Sequence, residues 1–245
     1  IANPAEGLLA YDSLLHVFLF FDGLEWKPIV TDTNVWGTSG NAGTFQENFI
    51  GTTDLPKLTF KLNSQQFGFL NSQEHKIHFG SRITNPTNSV IIGDSAAYSA
   101  AMFASENTIV GNFAGRHLDN GFGNTLFGDN AGYRILNSTD NTIIGKSAGI
   151  NTTSGSSNTF LGNQSGNGNI SGEYNTYLGV GTGVHNATGH FNTALGTNAS
   201  SMKSGSNNIA IGNKALSGGN LGGYLYGNDN IGIGFGSGNQ WVFED

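Results

Sequence analysis

Asp94 and Asp129 each follow a glycine, Gly93 and Gly128, in matching local sequence. Two carboxylates at a suitable separation can flank a glycosidic bond, one as general acid and the other as base or nucleophile. Stacked two coils apart, these carboxyls would lie about 10 Å from each other. Asn112 holds the position between them, and solvated turn acids account for the pair more simply than catalysis does. The six histidines are His16, His75, His78, His117, His185 and His190. His75 and His78 are three residues apart, so on a strand they point to opposite faces and do not chelate within one chain. A threefold axis gathering three copies of one histidine is the remaining route to a metal. The Gly-Gly-x-Gly-x-Asp calcium nonapeptide does not recur. No Gly-x-x-x-x-Gly-Lys-Ser/Thr phosphate loop occurs, and the Gly-x-Gly pieces near Gly181 and Gly234 precede no helix pattern. Zero cysteine removes a thiolate ligand, a thiol nucleophile and a disulfide. The expectation is a non-enzyme with no catalytic residue, no cofactor and no metal.

The elements that carry these residues follow from composition. Of 245 residues, 37% are hydrophobic and 11% charged, while 38 are Gly and, by count, 31 are Asn. Gly and Asn are poor helix formers, which argues against a helical bundle. The 17 Phe and 7 Tyr argue against a disordered tail. The net charge of −7 leaves ten scattered bases with no Lys/Arg run, so no nucleic-acid partner is expected. Leu14 to Phe21, broken by His16, is the longest apolar run; at eight residues it falls far short of the roughly 20 needed to span a bilayer. A chain beginning at Ile1 rather than Met is expected to be a fragment or a processed product.

A repeat dominates the second part of the chain. Gly93, Gly111, Gly128, Gly145, Gly162, Gly179, Gly196, Gly212 and Gly234 share one context, at successive spacings of 18, 17, 17, 17, 17, 17, 16 and 22. Asn-Thr-x-apolar precedes six of them, as in Asn141-Thr142-Ile143-Ile144, and a small residue follows three positions later, as in Ala148. Seventeen residues suffice for a two-sided coil of strand, turn, strand, turn, and are too few for a four-stranded propeller blade. The pattern predicts stacked parallel coils over residues 88–238, about nine of them, in an all-β parallel β-roll or β-solenoid. The Asn column is expected to form a stacked amide ladder that closes each turn.

Side chains alternate along a strand. The position before each glycine is uniformly large and apolar (Ile92, Val110, Phe127, Ile144, Leu161), and this column, with the one two residues earlier, is assigned to the coil interior. The intervening column, Ile109, Leu126, Ile143, Phe160 and Tyr177, then faces outward and is also apolar. A strand apolar on both faces must be covered on both. This column is therefore expected to be an interface between copies of the chain.

Before the repeats, residues 1–36 read as a β-hairpin module with Asp22-Gly23 as its turn. Residues 37–87 read as a β-rich connector with strands at Leu58–Leu62, Phe67–Leu70 and His75–Phe79. Residues 88–245 are the repeat domain.

Asn48-Phe49-Ile50-Gly51-Thr52-Thr53-Asp54, with Leu58-x-Phe60 and Asn63 after it, resembles the module preceding the repeats in bacterial and phage tail-fibre-domain proteins. Gly7-Leu8-Leu9-Ala10-Tyr11-Asp12 to Asp22-Gly23-x-x-Trp26 resembles their hairpin module. The Asn-Thr-x-x-Gly-x-x-Ala-Gly units are similar to the head repeats of YadA-like trimeric adhesins, although longer, so longer turns are expected. The resemblance implies a left-handed β-roll in an intertwined homotrimer, extracellular on a virion, an injection particle or a cell surface. It implies attachment to a target-cell glycan or protein, and a baseplate or fibre-adaptor partner. A structural shaft with its receptor-binding tip elsewhere is the alternative, and a glycan-degrading tailspike a weaker one. Arg116, His117, Tyr133, Arg134, Tyr174, Tyr224 and Tyr226 break the Gly/Ser/Asn background of the turns and are the candidate receptor contacts.

Overall fold

The computed structural model describes residues 5–14, 17–29, 57–62, 65–71, 76–79, 88–99, 104–200, 204–218 and 227–238. The chain divides into two units, Ile1–Gly51 and Thr52–Asp245. In the first, β1 (Leu9–Asp12), β2 (Val17–Phe21) and β3 (Trp26–Pro28) form an antiparallel sheet in the order β1-β2-β3. The β2–β3 turn is Asp22-Gly23, as its residue types predict. The Asp22 carboxylate accepts from the Leu24 and Glu25 N–H groups at 2.9 Å each and lies 2.7 Å from the Lys27 ammonium. The Lys27 hydrogen bond, then those two backbone N–H groups, hold this carboxyl well below the usual carboxylate range.

The second unit is one 12-stranded sheet. Strands β4 (Lys57–Leu62), β5 (Gln65–Asn71) and β6 (Lys76–Phe79) pair antiparallel, close to the expected connector strands. β6 then pairs parallel with β7 (Val90–Ile92), so the meander covers the open edge of the first coil. From there β8 (Thr108–Val110), β9 (Thr125–Phe127), β10 (Thr142–Ile144), β11 (Thr159–Leu161), β12 (Thr176–Leu178), β13 (Thr193–Leu195), β14 (Ile209–Ile211) and β15 (Ile231–Ile233) follow in parallel, one per repeat. Equivalent positions pair: Thr142 with Thr125 and Thr159, Ile143 with Leu126 and Phe160. The fold is an all-β parallel β-solenoid. Among the described residues there is no helix, hence none able to cross a membrane.

The coil differs from the strand-turn-strand-turn expectation. Each repeat carries a single three-residue strand, and the opposite side is a chain of turns. There the backbone alternates hand: in the fourth repeat Ser147 and Gly149 have φ of 56° and 52°. Neighbouring coils still bond across this side, as Gly132 N–H does to the Ala148 carbonyl at 2.9 Å. Hydrogen bonding therefore persists without extended strands.

The recurring context of the glycines has a steric origin. Gly128 has φ of +135°, and a Cβ there would sit 2.7 Å from the carbonyl of Gly145 in the next coil. Gly128→Ala is expected to cost roughly 3 kcal/mol, from backbone strain and overpacking together. Denaturant unfolding should show this, while Ser154→Ala on an exposed turn stays within about 0.5 kcal/mol. Equal losses in both variants would refute the close approach.

The core lies inside the coils, and it reverses the expected facing. Ile109, Leu126, Ile143, Phe160 and Tyr177 are fully buried within a single chain, so they form the core and are not an interface. The column before the glycines points out instead: Phe127 is 55% exposed and Leu161 45%. The reason is alternation. Asn141 and Ile143 are two apart on an extended segment and share a face, and the asparagines are buried. A column of inward amides therefore carries the mid-strand residue inward with it.

Candidate functional site

Three sets of side chains emerge from the stack: the amide ladder, the outward apolar column, and the turn residues singled out in sequence.

The ladder is continuous. Each asparagine's side-chain NH2 donates to the Oδ1 of its predecessor, from Asn124 to Asn107 at 3.1 Å through to Asn230 to Asn208 at 2.9 Å. The same NH2 closes its own turn, as Asn141 does by donating to the Gly155 carbonyl at 3.0 Å. Ser89 starts the series, its hydroxyl accepting from Asn107 N–H at 3.1 Å. From Asn107 to Asn208 both the NH2 and the Oδ1 of each amide are engaged in bonds within and between coils.

Inside, the columns trade volume. Where the strand residue enlarges to Phe160 and Tyr177, stacked at 5.2 Å and 10°, Gly166 and Gly183 lie against the rings with no room for a Cβ, and where it shrinks to Gly232, Leu216 lies against it. The Tyr177 hydroxyl accepts from the Asn186 side chain at 3.3 Å, and burial pushes its pKa up. This hydroxyl is structural.

Asp94 and Asp129 make separate local contacts. Asp129 accepts from the Asn130 side chain at 2.9 Å, and the Asp94 N–H donates to the Asn112 side chain at 3.1 Å. Among the described residues no group of His and acids is arranged to hold a metal ion. His190 accepts the Glu173 N–H on its Nδ1 at 3.1 Å. His78 is buried against Phe69, ring centroids 4.7 Å apart. His16 and His75 lie outside the described residues.

Of the candidate receptor contacts, Tyr224 and Tyr226 also lie outside the described residues. Tyr174 is 53% exposed and stacks on Phe191 at 5.1 Å and 4°. Both occupy left-handed backbone, φ 55° and 58°, a position where other coils use Gly, Asp, Asn, Ser or Glu. The remaining four lie in corresponding turns of two adjacent coils. The Arg116 guanidinium carbon sits 5.1 Å from the Tyr98 ring centroid and 5.3 Å from that of Phe113. His117 meets the Tyr133 ring edge-on at 4.9 Å, and its N–H donates to the Tyr133 carbonyl at 3.1 Å. Arg134 is exposed in the same column as His117, one coil on.

Tyr98, Phe113 and Phe191 were not singled out from sequence. For Tyr98 the signal existed: Tyr98, Arg116 and Tyr133 each stand five residues after a column glycine, so stacking places them in one row. Phe113 offers only its place in the turn, two residues after Gly111, where other coils carry Ser, Asn, Gln, Lys or Gly.

No family model, curated protein or solved structure matches the chain.

Proposed function

We propose that this chain is a segment of a homotrimeric fibre or adhesin that attaches a phage tail, a contractile injection particle or a cell to a target surface. The observation that carries the reading is the outward apolar column. Ile92, Phe127, Leu161, Leu195 and Ile233 are 39%, 55%, 45%, 48% and 67% exposed, and they run the length of the stack in register. A contiguous apolar stripe of this kind marks an interface. The repeat resemblance noted above favours three chains. Variation among the turns, over near-uniform ladder and glycine columns, supports target contact there, because turns change without disturbing the stack. A baseplate or adaptor partner, and an extracellular location, belong to the same reading.

The test is direct. Phe127→Asp with Leu161→Asp is expected to turn a species of three chains into a folded single chain, read by sedimentation and circular dichroism. An unchanged mass would remove this column from the interface. Binding of the unaltered chain to target cells then separates an attachment segment from a shaft, which would show none.

A further inference from the structure

We infer that Tyr98, Phe113, Arg116, His117, Tyr133 and Arg134 form a binding site for a carboxylate-bearing saccharide, such as a uronic acid unit of a surface polysaccharide. The inference deepens the attachment reading and rests on it for biological context.

The first argument is the state of the arginines. In a chain of net charge −7, Arg116 and Arg134 lie on adjacent coils, and no carboxylate among the described residues pairs with either. A solvated arginine that serves only solubility has no reason to be fixed. Arg116 is fixed: it is half-buried, with its guanidinium against two aromatic rings. That arrangement restricts the planar fork, and no acceptor among the described residues takes a hydrogen bond from its guanidinium N–H groups. A preorganised fork suits a carboxylate, which it meets with two parallel hydrogen bonds.

The second argument is what surrounds the fork. Phe113 adopts φ of 56°, where aromatic residues are rarely found. The left-handed backbone belongs to the coil, since Ser95, Asn130, Ser147 and Gln164 adopt it at the same turn position; what is particular to Phe113 is the aromatic ring it places there. Its ring is half-buried, Tyr98 is 37% exposed, and Tyr133 is half-buried with His117 edge-on. The cluster therefore offers aromatic surface beside cationic donors, suited to the C–H face of a pyranose and to its acid group.

The third argument selects among anions. Ten scattered bases offer no continuous basic track for a nucleic acid or a densely sulfated chain, whereas one aromatic-flanked fork can meet a single carboxylate. A uronate brings one charge per ring. Equivalent coils repeat at about 4.8 Å, so Arg134, one coil beyond His117 in its column, adds a second cation beside the cluster.

The experiment uses the whole chain in native gels containing polygalacturonate, its fully methyl-esterified form, or dextran sulfate. Retardation by polygalacturonate alone is expected. Loss of a charged hydrogen bond corresponds to roughly ten- to a hundredfold weaker binding, expected for Arg116→Gln. Arg116→Lys should weaken binding as well, since it keeps the charge but loses the fork. Circular dichroism of each variant should match the unaltered chain. Equal retardation by the methyl ester, preference for dextran sulfate, no retardation by any polymer, or an unaffected Arg116→Gln would each overturn the site. If the unaltered chain attaches to cells and Arg116→Gln attaches equally well, this inference fails and the attachment reading stands. If the chain binds polygalacturonate but no cell surface, the attachment reading fails and the saccharide site stands.

Discussion

Ile143→Asp is expected to destroy the centre of the solenoid, not merely to separate chains. Ile143 is wholly buried inside the coil, between Leu126 and Phe160 in the strands on either side. The substitution removes a packed side chain and places a carboxyl where no cation stands. An uncompensated buried charge costs at least about 3–5 kcal/mol. The effect has a pH signature. Burial raises the introduced carboxyl's folded-state pKa above its unfolded value, so the folded state binds more protons. Stability is then best retained below the unfolded pKa of about 4 and is lost as pH rises through the folded one. Thermal melting followed at pH 4 and pH 7 should show the lower midpoint at pH 7. Ile143→Val, which keeps an apolar group there, should cost only about 0.5–1.5 kcal/mol. The outcome contrasts with that expected for Phe127→Asp and Leu161→Asp, whose side chains point out. A folded, dissociated Ile143→Asp chain would mean that the interior has been assigned to the wrong column.

The second large effect is expected at Asn141. Its Oδ1 accepts from the Asn158 N–H at 2.9 Å and the Asn158 side chain at 3.1 Å. Its NH2 donates to Asn124 Oδ1 and the Thr139 carbonyl at 3.1 Å each, and to the Gly155 carbonyl at 3.0 Å. Asn141→Ala removes all five contacts and strands several buried groups, each worth about 1–3 kcal/mol when unsatisfied. A loss of about 3 kcal/mol or more is expected in denaturant unfolding. The ladder supplies its own control. Asn230 is half-buried at the end of the series, with no asparagine stacked beyond it among the described residues, so Asn230→Ala should cost clearly less. Equal costs at the two positions would mean that the amides act singly and not as a ladder. Because each coil contacts chiefly its neighbours, a break at Asn141 or Ile143 should loosen the middle of the stack before its flanks. Hydrogen exchange would show that order.

Much of this architecture was legible because a solenoid is nearly one-dimensional. Stacking equivalent residues requires equivalent sequence, so period, register and strand positions appear as columns in the chain itself. The spacing of 17 residues placed β8 to β13, and the recurrence of Asn before the strand anticipated the amide ladder. The connector strands and the Asp22-Gly23 turn were equally readable, since local alternation and turn chemistry specify them.

What periodicity could not settle was direction. Both strand faces are apolar, and hydrophobicity alone cannot tell a core column from an outward one. The buried amides decide it, because Asn141 must turn inward to bond its neighbours and Ile143 follows by alternation. The uniform column of Ile92, Phe127 and Leu161 was therefore outside, and the five residues assigned to an interface were the core. The cationic-aromatic cluster depended on tertiary structure for a different reason. Arg116 meets Tyr98 from the preceding coil and Phe113 from its own, a contact between repeats 18 residues apart in sequence. Sequence shows that such residues share a row; only the rise from coil to coil and the left-handed turn at Phe113 bring the rings against the guanidinium.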